Sequence, residues 1–450
     1  MRFIGTTLGR VEHKQDGFVV KGLAEALRPE WVNEALKRSG RNSVRRRLLP
    51  AEFVVWFVVL LGLYRRTSYG NLLEKLAGTW WSWRRWPQDK PPSTSAVTKA
   101  RDRLGVEPVK ILYERSADGW VKATEGLRLV GKRVCAFDGT TCKTPDTPDN
   151  RSHWGKPGAS RGAAAYPQLR MVALLDVGTR LVKAFRHGPY RRGEIGLARD
   201  LLPAVRDDNI VLLDRDFAAY DFLWDLHTDR GADFVVRIRK NMKVLPVRRL
   251  SVGDAIVEVR VPRHFRRKRP DMPRTWLLRE ITYRPEGAGE DIRLLTTLID
   301  ADDVSKDELA QLYGRRWDEE TSIDEVKTHL CKCATITEPA IFRSRTPSRV
   351  EQELYGLVIA YNVVRFLAYK AARTARVSPL RLSFTAALER IREAVHDMMR
   401  MPTRQLPQRY RRMLDAIARA KAPKRPGRRY PRAVKIKMSR YPLKRSNNAA

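Results

Sequence analysis

Apolar and polar positions follow several rhythms along the chain, and the changes of rhythm divide it. Up to about residue 125 the period is helical. Leu23–Arg38 is amphipathic, whereas AEFVVWFVVLLGLY (51–64) is apolar on every side behind Pro50, which predicts a buried helix. That stretch is shorter than the ~20 residues a membrane span requires and carries Glu52. The turn Pro91-Pro92-Ser93-Thr94-Ser95 leads into AVTKARDRLG, a helix with Ser95 as its expected cap and Lys99, Arg101 and Arg103 on its expected outer side. From Leu127 the pattern becomes that of strands. RLVGKRVCAFDGTTCKT, YPQLRMVALLDVG, TRLVKAFRHG, NIVLL (209–213), DFVVRIRK (233–240) and RLLTTLI (293–299) alternate or run apolar. Between them lie a helix over 194–205 interrupted near Pro203, a second over 221–230, and an irregular strand-rich stretch at 241–290 holding the basic loop 261–274. Apolar helices return at Val350–Ala372 and Ser383–Met399.

One further helix organises the rest. Ser305 to about Leu330 opens with a capping box, Ser305 and Glu308, and contains no proline. At about 100° per residue, Leu312, Ile323, Val326 and Leu330 form a buried stripe, while Tyr313, Arg316, Glu320 and Lys327 share a second strip beside it. An acid held among two cations and a phenol suits a metal ion beside a phosphodiester. The plainer reading of the same spacing is a solvated face of i,i+4 ion pairs.

Composition narrows the partners. The chain has 450 residues, with 88 Lys+Arg against 51 Asp+Glu and a net charge of +37, an excess that favours a polyanion, nucleic acid before an anionic membrane. From Lys421 to Arg445 there are eleven basic residues and no acid, which reads as a basic arm. The first residues lack the apolar core of a secretion signal, so the expected location is cytoplasmic, at the nucleoid. The four cysteines, Cys135, Cys142, Cys331 and Cys333, then read as free thiols, and Cys331-x-Cys333 has the wrong spacing for zinc. Trp80, Trp81, Trp83 and Trp86 interleave with Arg84 and Arg85, a pattern for stacking on bases, although core packing is the commoner use of tryptophan.

Three carboxylates have matched contexts: Asp138 at the end of the first strand, Asp214 at the end of the buried strand 209–213, and Glu320 on the late helix. Two Asp and a Glu without neighbouring His or Cys make an oxygen-only donor set suited to Mg²⁺ or Mn²⁺, and two such ions serve phosphoryl transfer. The turn acids Asp146, Asp149, Asp176 and Asp216 read as structural, and Asp324 as a partner of Lys327. His187, His227 and His329 lack metal-ligand spacing.

The order strand-Asp, strand-Asp, strand-rich insertion, helix-Glu, closed by Tyr313-x-x-Arg316-x-x-x-Glu320-x-x-x-x-x-x-Lys327, resembles the DDE transposases of bacterial insertion sequences, family four. FDGTT around Asp138 and LLDRDF around Asp214 extend the resemblance, which covers most of residues 50–366. It implies an α/β fold with an RNase H-like core and β-rich insertion (126–400), a helical N-terminal domain binding element ends (1–125), and a basic tail (401–450). It also implies cut-and-paste chemistry on double-stranded DNA by a homodimer. Asp138, Asp214 and Glu320 would bind probably two Mg²⁺ or Mn²⁺ ions, with Tyr313, Arg316, Lys327 and, more loosely, Arg237 contacting DNA. Some relatives place an aromatic ahead of the last core strand for a flipped base. This chain has Ile292-Arg293 there, leaving Trp276 and Trp317 as stand-ins. The alternatives are an inactive DNA-binding descendant and an RNase H-like nuclease such as a resolvase.

Overall fold

The computed structural model describes residues 19–42, 49–83, 92–159, 162–239, 242–285, 290–316 and 341–422. Five helices come first: α1 (Pro29–Arg38), α2 (Ala51–Leu63), α3 (Tyr69–Trp83), α4 (Thr94–Leu104) and α5 (Glu107–Lys122). The strand region then runs β1 (Lys132–Lys143), α6 (Pro148–Trp154), β2 (Gln168–Asp176), β3 (Val182–Pro189), α7 (Glu194–Arg199), β4 (Asn209–Leu213), α8 (Tyr220–Trp224) and β5 (Asp233–Arg237). The insertion supplies β6 (Leu245–Ser251), β7 (Asp254–Arg260), α9 (Arg263–Lys268) and β8 (Thr275–Tyr283). After it come β9 (Ile292–Thr296), α10 (Lys306–Gly314), α11 (Pro347–Ala375), α12 (Phe384–Arg400) and α13 (Leu406–Arg419).

Among the described residues the main sheet has the order β3-β2-β1-β4-β5-β9-β8-β7-β6, with the short strand Arg128–Leu129 paired to β1. The three strands β1, β4 and β5 are mutually parallel, and the other pairings are antiparallel. A hairpin beside β1 on one side and parallel crossovers on the other give the RNase H-like core that the sequence predicts. The insertion adds to its far edge as a meander, continuing the sheet through β9. Arg279, fully buried on β8, secures this addition. It donates to both carboxylate oxygens of Asp254 (2.8 and 2.6 Å) and to the carbonyls of Asp300 (3.1 Å) and Val304 (2.7 Å), just ahead of α10.

The helices α2 and α11 make one core from the two ends of the chain. α2 is apolar all round and is buried from Phe53 to Leu63, each fully buried Val, Leu or Phe side chain being worth about 1.5–3 kcal/mol. It crosses α11 in backbone contact: a Cβ on Gly62 would stand 2.7 Å from the Gly356 carbonyl oxygen, and one on Gly356 2.5 Å from that of Val58. The same apolar cluster takes in α1, α5, α12, α13 and the β2–β3 hairpin. No helix of the described residues is long and apolar enough to cross a membrane.

Four local expectations change. The cap of α4 is Ser93, whose hydroxyl accepts the Ala96 N–H at 3.1 Å, two residues ahead of Ser95. Arg101 points inward and is 1% exposed, while Lys99 and Arg103 stay outside. β1 does not end at Asp138 but runs on to Lys143, because β2 continues to pair with it after β4 has stopped. Residues 406–419, placed in the tail by their charge, form an amphipathic helix that buries Leu406, Tyr410, Met413, Leu414 and Ile417.

Candidate active site

Strand register assembles the site. On β1, β4 and β5 the residues Ala136, Leu212 and Val235 stand side by side, and all belong to one buried cluster on one face of the sheet. Side chains return to the same face every second residue, so the next row on that face is Asp138, Asp214 and Arg237. Adjacent strands lie about 4.8 Å apart, which sets the spacing of the two aspartates. All three residues are half-buried, where apolar strand gives way to solvent.

The same face is covered by α10, whose Leu309, Leu312 and Tyr313 pack on Ile210, Leu212 and Val235. The helix starts where the sequence says. Ser305 accepts the Glu308 N–H (3.3 Å), and Glu308 accepts that of Ser305 (2.9 Å). Tyr313 is fully buried and donates its phenolic proton to the carbonyl of Leu213 at 3.2 Å, one residue before Asp214. Burial pushes this phenol up to about 12. A DNA contact was the expectation for Tyr313, and the structure instead packs it inside as a strut under the strand end, because its ring completes the apolar cluster. Arg316, 5% exposed, holds its guanidinium 5.5 Å from the Tyr313 ring centroid.

Electrostatics tie the group together. Burial raises the Asp214 carboxyl above its ordinary value, and the backbone N–H of Asp216, at 2.8 Å, and then the Arg316 charge oppose that rise. The Tyr313 phenol senses Arg316, Asp214 and Arg237 together. Tyr283 was missed in the sequence. Two residues past Ile281, which lies on this face, its phenol is raised by burial and lowered by Arg237 and Arg316. The alternation in TWLLREITY is the signal that would have placed it there. Arg237 pairs with Glu290 at 3.0 Å.

On the opposite face, the carboxylate of Glu194 lies over Gly139, so close that a Cβ there would meet it at 2.6 Å. Glu194 also pairs with Arg170 at 3.3 Å. The turn acids behave as read: Asp176 is buried and accepts from the backbone N–H (2.8 Å) and hydroxyl (2.7 Å) of Thr179. Trp276 packs against Trp224 and Phe234 on the face away from Asp214, with centroids 5.2 and 5.6 Å away. His187 sits among Trp154, Phe185 and Tyr355, and burial lowers its pKa to about 4. Cys135 and Cys142 are free and buried. Glu320, Lys327, Trp317, Asp324, His329, Cys331 and Cys333 lie outside the described residues.

The donor set fits a hard divalent cation. Asp138 and Asp214 offer carboxylate oxygens on one face, without nitrogen or sulfur ligands, and Arg237 and Arg316 stand by for the non-bridging oxygens of a phosphodiester. A sheet of this order, with paired aspartates on adjacent parallel strands beneath a helix bearing Tyr-x-x-Arg, defines a nuclease of the RNase H-like class.

Known families make the class specific. Residues 130–363 match the transposase DDE domain and residues 19–114 the N-terminal domain of insertion element 4 transposases, so the chain belongs to the DDE transposase family and is a DNA transposase. It is 29% identical to the transposase InsG of insertion sequence element IS4 from Escherichia coli K12, over 95% of each chain. It is 32% identical to the putative transposase InsZ of the same organism, over 45% of this chain and 66% of that one. The piggyBac transposase, solved as a synaptic complex with hairpin DNA, aligns with 90% of this chain and 84% of its own at 13% identity and a TM-score of 0.45. Enzymes of the DDE family generally use divalent metal ions.

Proposed function

We propose that the protein performs metal-dependent strand cleavage and strand transfer at the ends of an insertion sequence, with Asp138, Asp214 and Glu320 as its acidic site. The observation that carries this reading is the row Asp138, Asp214, Arg237 beneath α10. Glu320 follows Arg316 by four residues, the interval that keeps two side chains on one helix face. The three carboxylates would hold Mg²⁺ or Mn²⁺, two ions in all, which when bound activate a water or 3′-hydroxyl and stabilise the leaving oxygen.

The chain's own residues prepare that site. Tyr313 pins the Leu213 carbonyl and so fixes where Asp214 leaves the strand. Arg316 favours the ionised form of Asp214, the form that ligates. Arg237 exchanges Glu290 for a phosphate oxygen when DNA arrives, and Lys327 supplies a further cation to the backbone. The N-terminal helices hold the element end, with Lys99 and Arg103 on the outer side of α4, and the basic arm beyond Lys421 adds sequence-independent affinity. A net charge of +37 opposes association of free chains, so the homodimer forms on DNA, each subunit serving one of two ends, in the cytoplasm at the nucleoid.

The test is substitution of each acid in turn. Asp138→Ala, Asp214→Ala and Glu320→Ala should each abolish Mg²⁺-dependent nicking of end DNA while end binding, measured without Mg²⁺, is kept. Near wild-type nicking by any one of them removes that residue from the site.

A further inference from the structure

The chain re-enters the described structure at Ile341, after the stretch that contains Glu320, and it is received there by an unusual concentration of buried polar groups. Ile341 bridges Lys143 at the far end of β1, and the Phe342 N–H donates to the Lys143 carbonyl at 2.9 Å. Arg65, in the turn after α2, donates to the Ile341 carbonyl at 3.0 Å, and Arg343 donates to that of Thr67 at 2.7 Å. From α6 and the turn before it, Asn150 holds the Ser344 carbonyl (3.3 Å) and Thr147 that of Arg345 (2.8 Å).

At the centre is Glu353 of α11, 1% exposed. Its carboxylate accepts the backbone N–H groups of Arg343 and Ser344 (3.0 Å each) and pairs with Arg65. The Ser344 hydroxyl joins two systems. It donates to Glu353 at 2.6 Å and accepts from Arg101 of α4 at 3.3 Å. Arg101 also donates to the Gln352 side chain (3.1 Å), the Tyr69 phenol (2.7 Å) and the Arg349 carbonyl (2.8 Å). Gln352 answers with bonds to the carbonyls of Arg101 (2.7 Å) and Gly105 (2.8 Å). Burial opposes ionisation of Glu353, but the Arg65 and Arg101 charges win and hold its carboxyl down at about 2.

A single hydroxyl thus lies between the inner side of a helix whose outer side carries Lys99 and Arg103, and the segment that follows Glu320. That segment is stitched to the strand of Asp138, five residues beyond the aspartate. We propose that Ser344 is a positioning residue that transmits occupation of the N-terminal helices to the acidic site, by fixing the return of the chain after Glu320 against both α4 and β1. The proposal rests on the reading of Glu320 as the third acid. Loss of the hydroxyl leaves all charges in place, so Arg65, Arg101 and Glu353 remain mutually compensated and folding is retained. What is lost is the link between Arg101 and Glu353.

The experiment uses the full-length chain with Ser344→Ala, the conservative Ser344→Thr, and Glu320→Gln. It reads three quantities: the thermal melt, end-DNA affinity without Mg²⁺, and the single-turnover cleavage rate of prebound end DNA with Mg²⁺. Ser344→Ala should cut about tenfold or more slowly while affinity stays within about twofold, since small misplacement of reacting groups costs rate before it costs binding. Ser344→Thr should recover most of the rate. In hydrogen exchange, end DNA should slow exchange across 317–340 in the wild type and fail to do so in Ser344→Ala. Cleavage by Ser344→Ala at the wild-type rate, with Glu320→Gln inactive, overturns the positioning role alone. Loss of melt, binding and cleavage together assigns Ser344 to stability and also overturns it. Normal cleavage by Glu320→Gln sinks the acid assignment itself.

Discussion

Replacing Tyr313 by phenylalanine isolates one atom of the site. The ring, buried among Leu309, Leu312 and the sheet, keeps its packing, so only the bond to the Leu213 carbonyl is lost. One such bond contributes about 1 kcal/mol net, and about 1–3 kcal/mol if the carbonyl is left without a partner. In a denaturant titration this should appear as a modest fall in midpoint. The greater effect should be kinetic, because the released carbonyl belongs to the residue before Asp214. If the same 1 kcal/mol is lost from transition-state positioning, single-turnover nicking slows about fivefold. End-DNA affinity should not change, since the hydroxyl faces the strand. A fall in affinity with unchanged stability would mean that the phenol reaches DNA, and would refute the reasoning.

Two other outcomes follow from the structure. Gly356→Ala should destabilise by about 1–3 kcal/mol or more in urea, because its Cβ would meet the Val58 carbonyl at 2.5 Å and backbone yields poorly. Gly314→Ala, with nothing within 4 Å of the new carbon, should be neutral or slightly stabilising and serves as the control. The raised pKa of Asp214 gives the pH dependence: the folded chain holds that proton more tightly than the unfolded one. Asp214 therefore favours folding when protonated and costs stability as pH rises through its folded value. Asp214→Asn should then raise the urea midpoint at neutral pH, and Arg316→Ala should move the acid limb of nicking to higher pH. An acid limb that moves downward in Arg316→Ala would contradict the assigned charge coupling.

How much of this was legible beforehand depends on the range of the interactions. The capping box at Ser305 and the buried character of 51–64 are local or compositional, and both are read from a few adjacent residues. Asp138 and Asp214 could be placed at the apolar-to-polar boundary of their strands, yet their common row comes from the pairing of Ala136 with Leu212, which no single segment contains. Arg101 was assigned outward because a helix pattern shows only that a residue is charged. The groups that draw it inward, Gln352 and Ser344, lie far along the chain. Tyr283 and Glu194 escaped for the same reason. Residues 406–419 were put in the tail because their arginines dominate the composition, although the spacing of Leu406, Tyr410, Met413, Leu414 and Ile417 marks one apolar face.

The shared core of α2 and α11 also sets a timetable for synthesis. The apolar surface of Ala51–Leu63 leaves the ribosome early, but its main partner begins at Pro347, more than two hundred residues after α5 ends. At about 5–20 residues per second, the interval is on the order of 10–45 s. During it a nascent chain carries its most apolar helix without the surface that covers it. The element-end-binding helices can therefore complete their fold only when translation is nearly finished, and chains that terminate before α11 should be cleared by proteolysis or aggregation before they can occupy DNA.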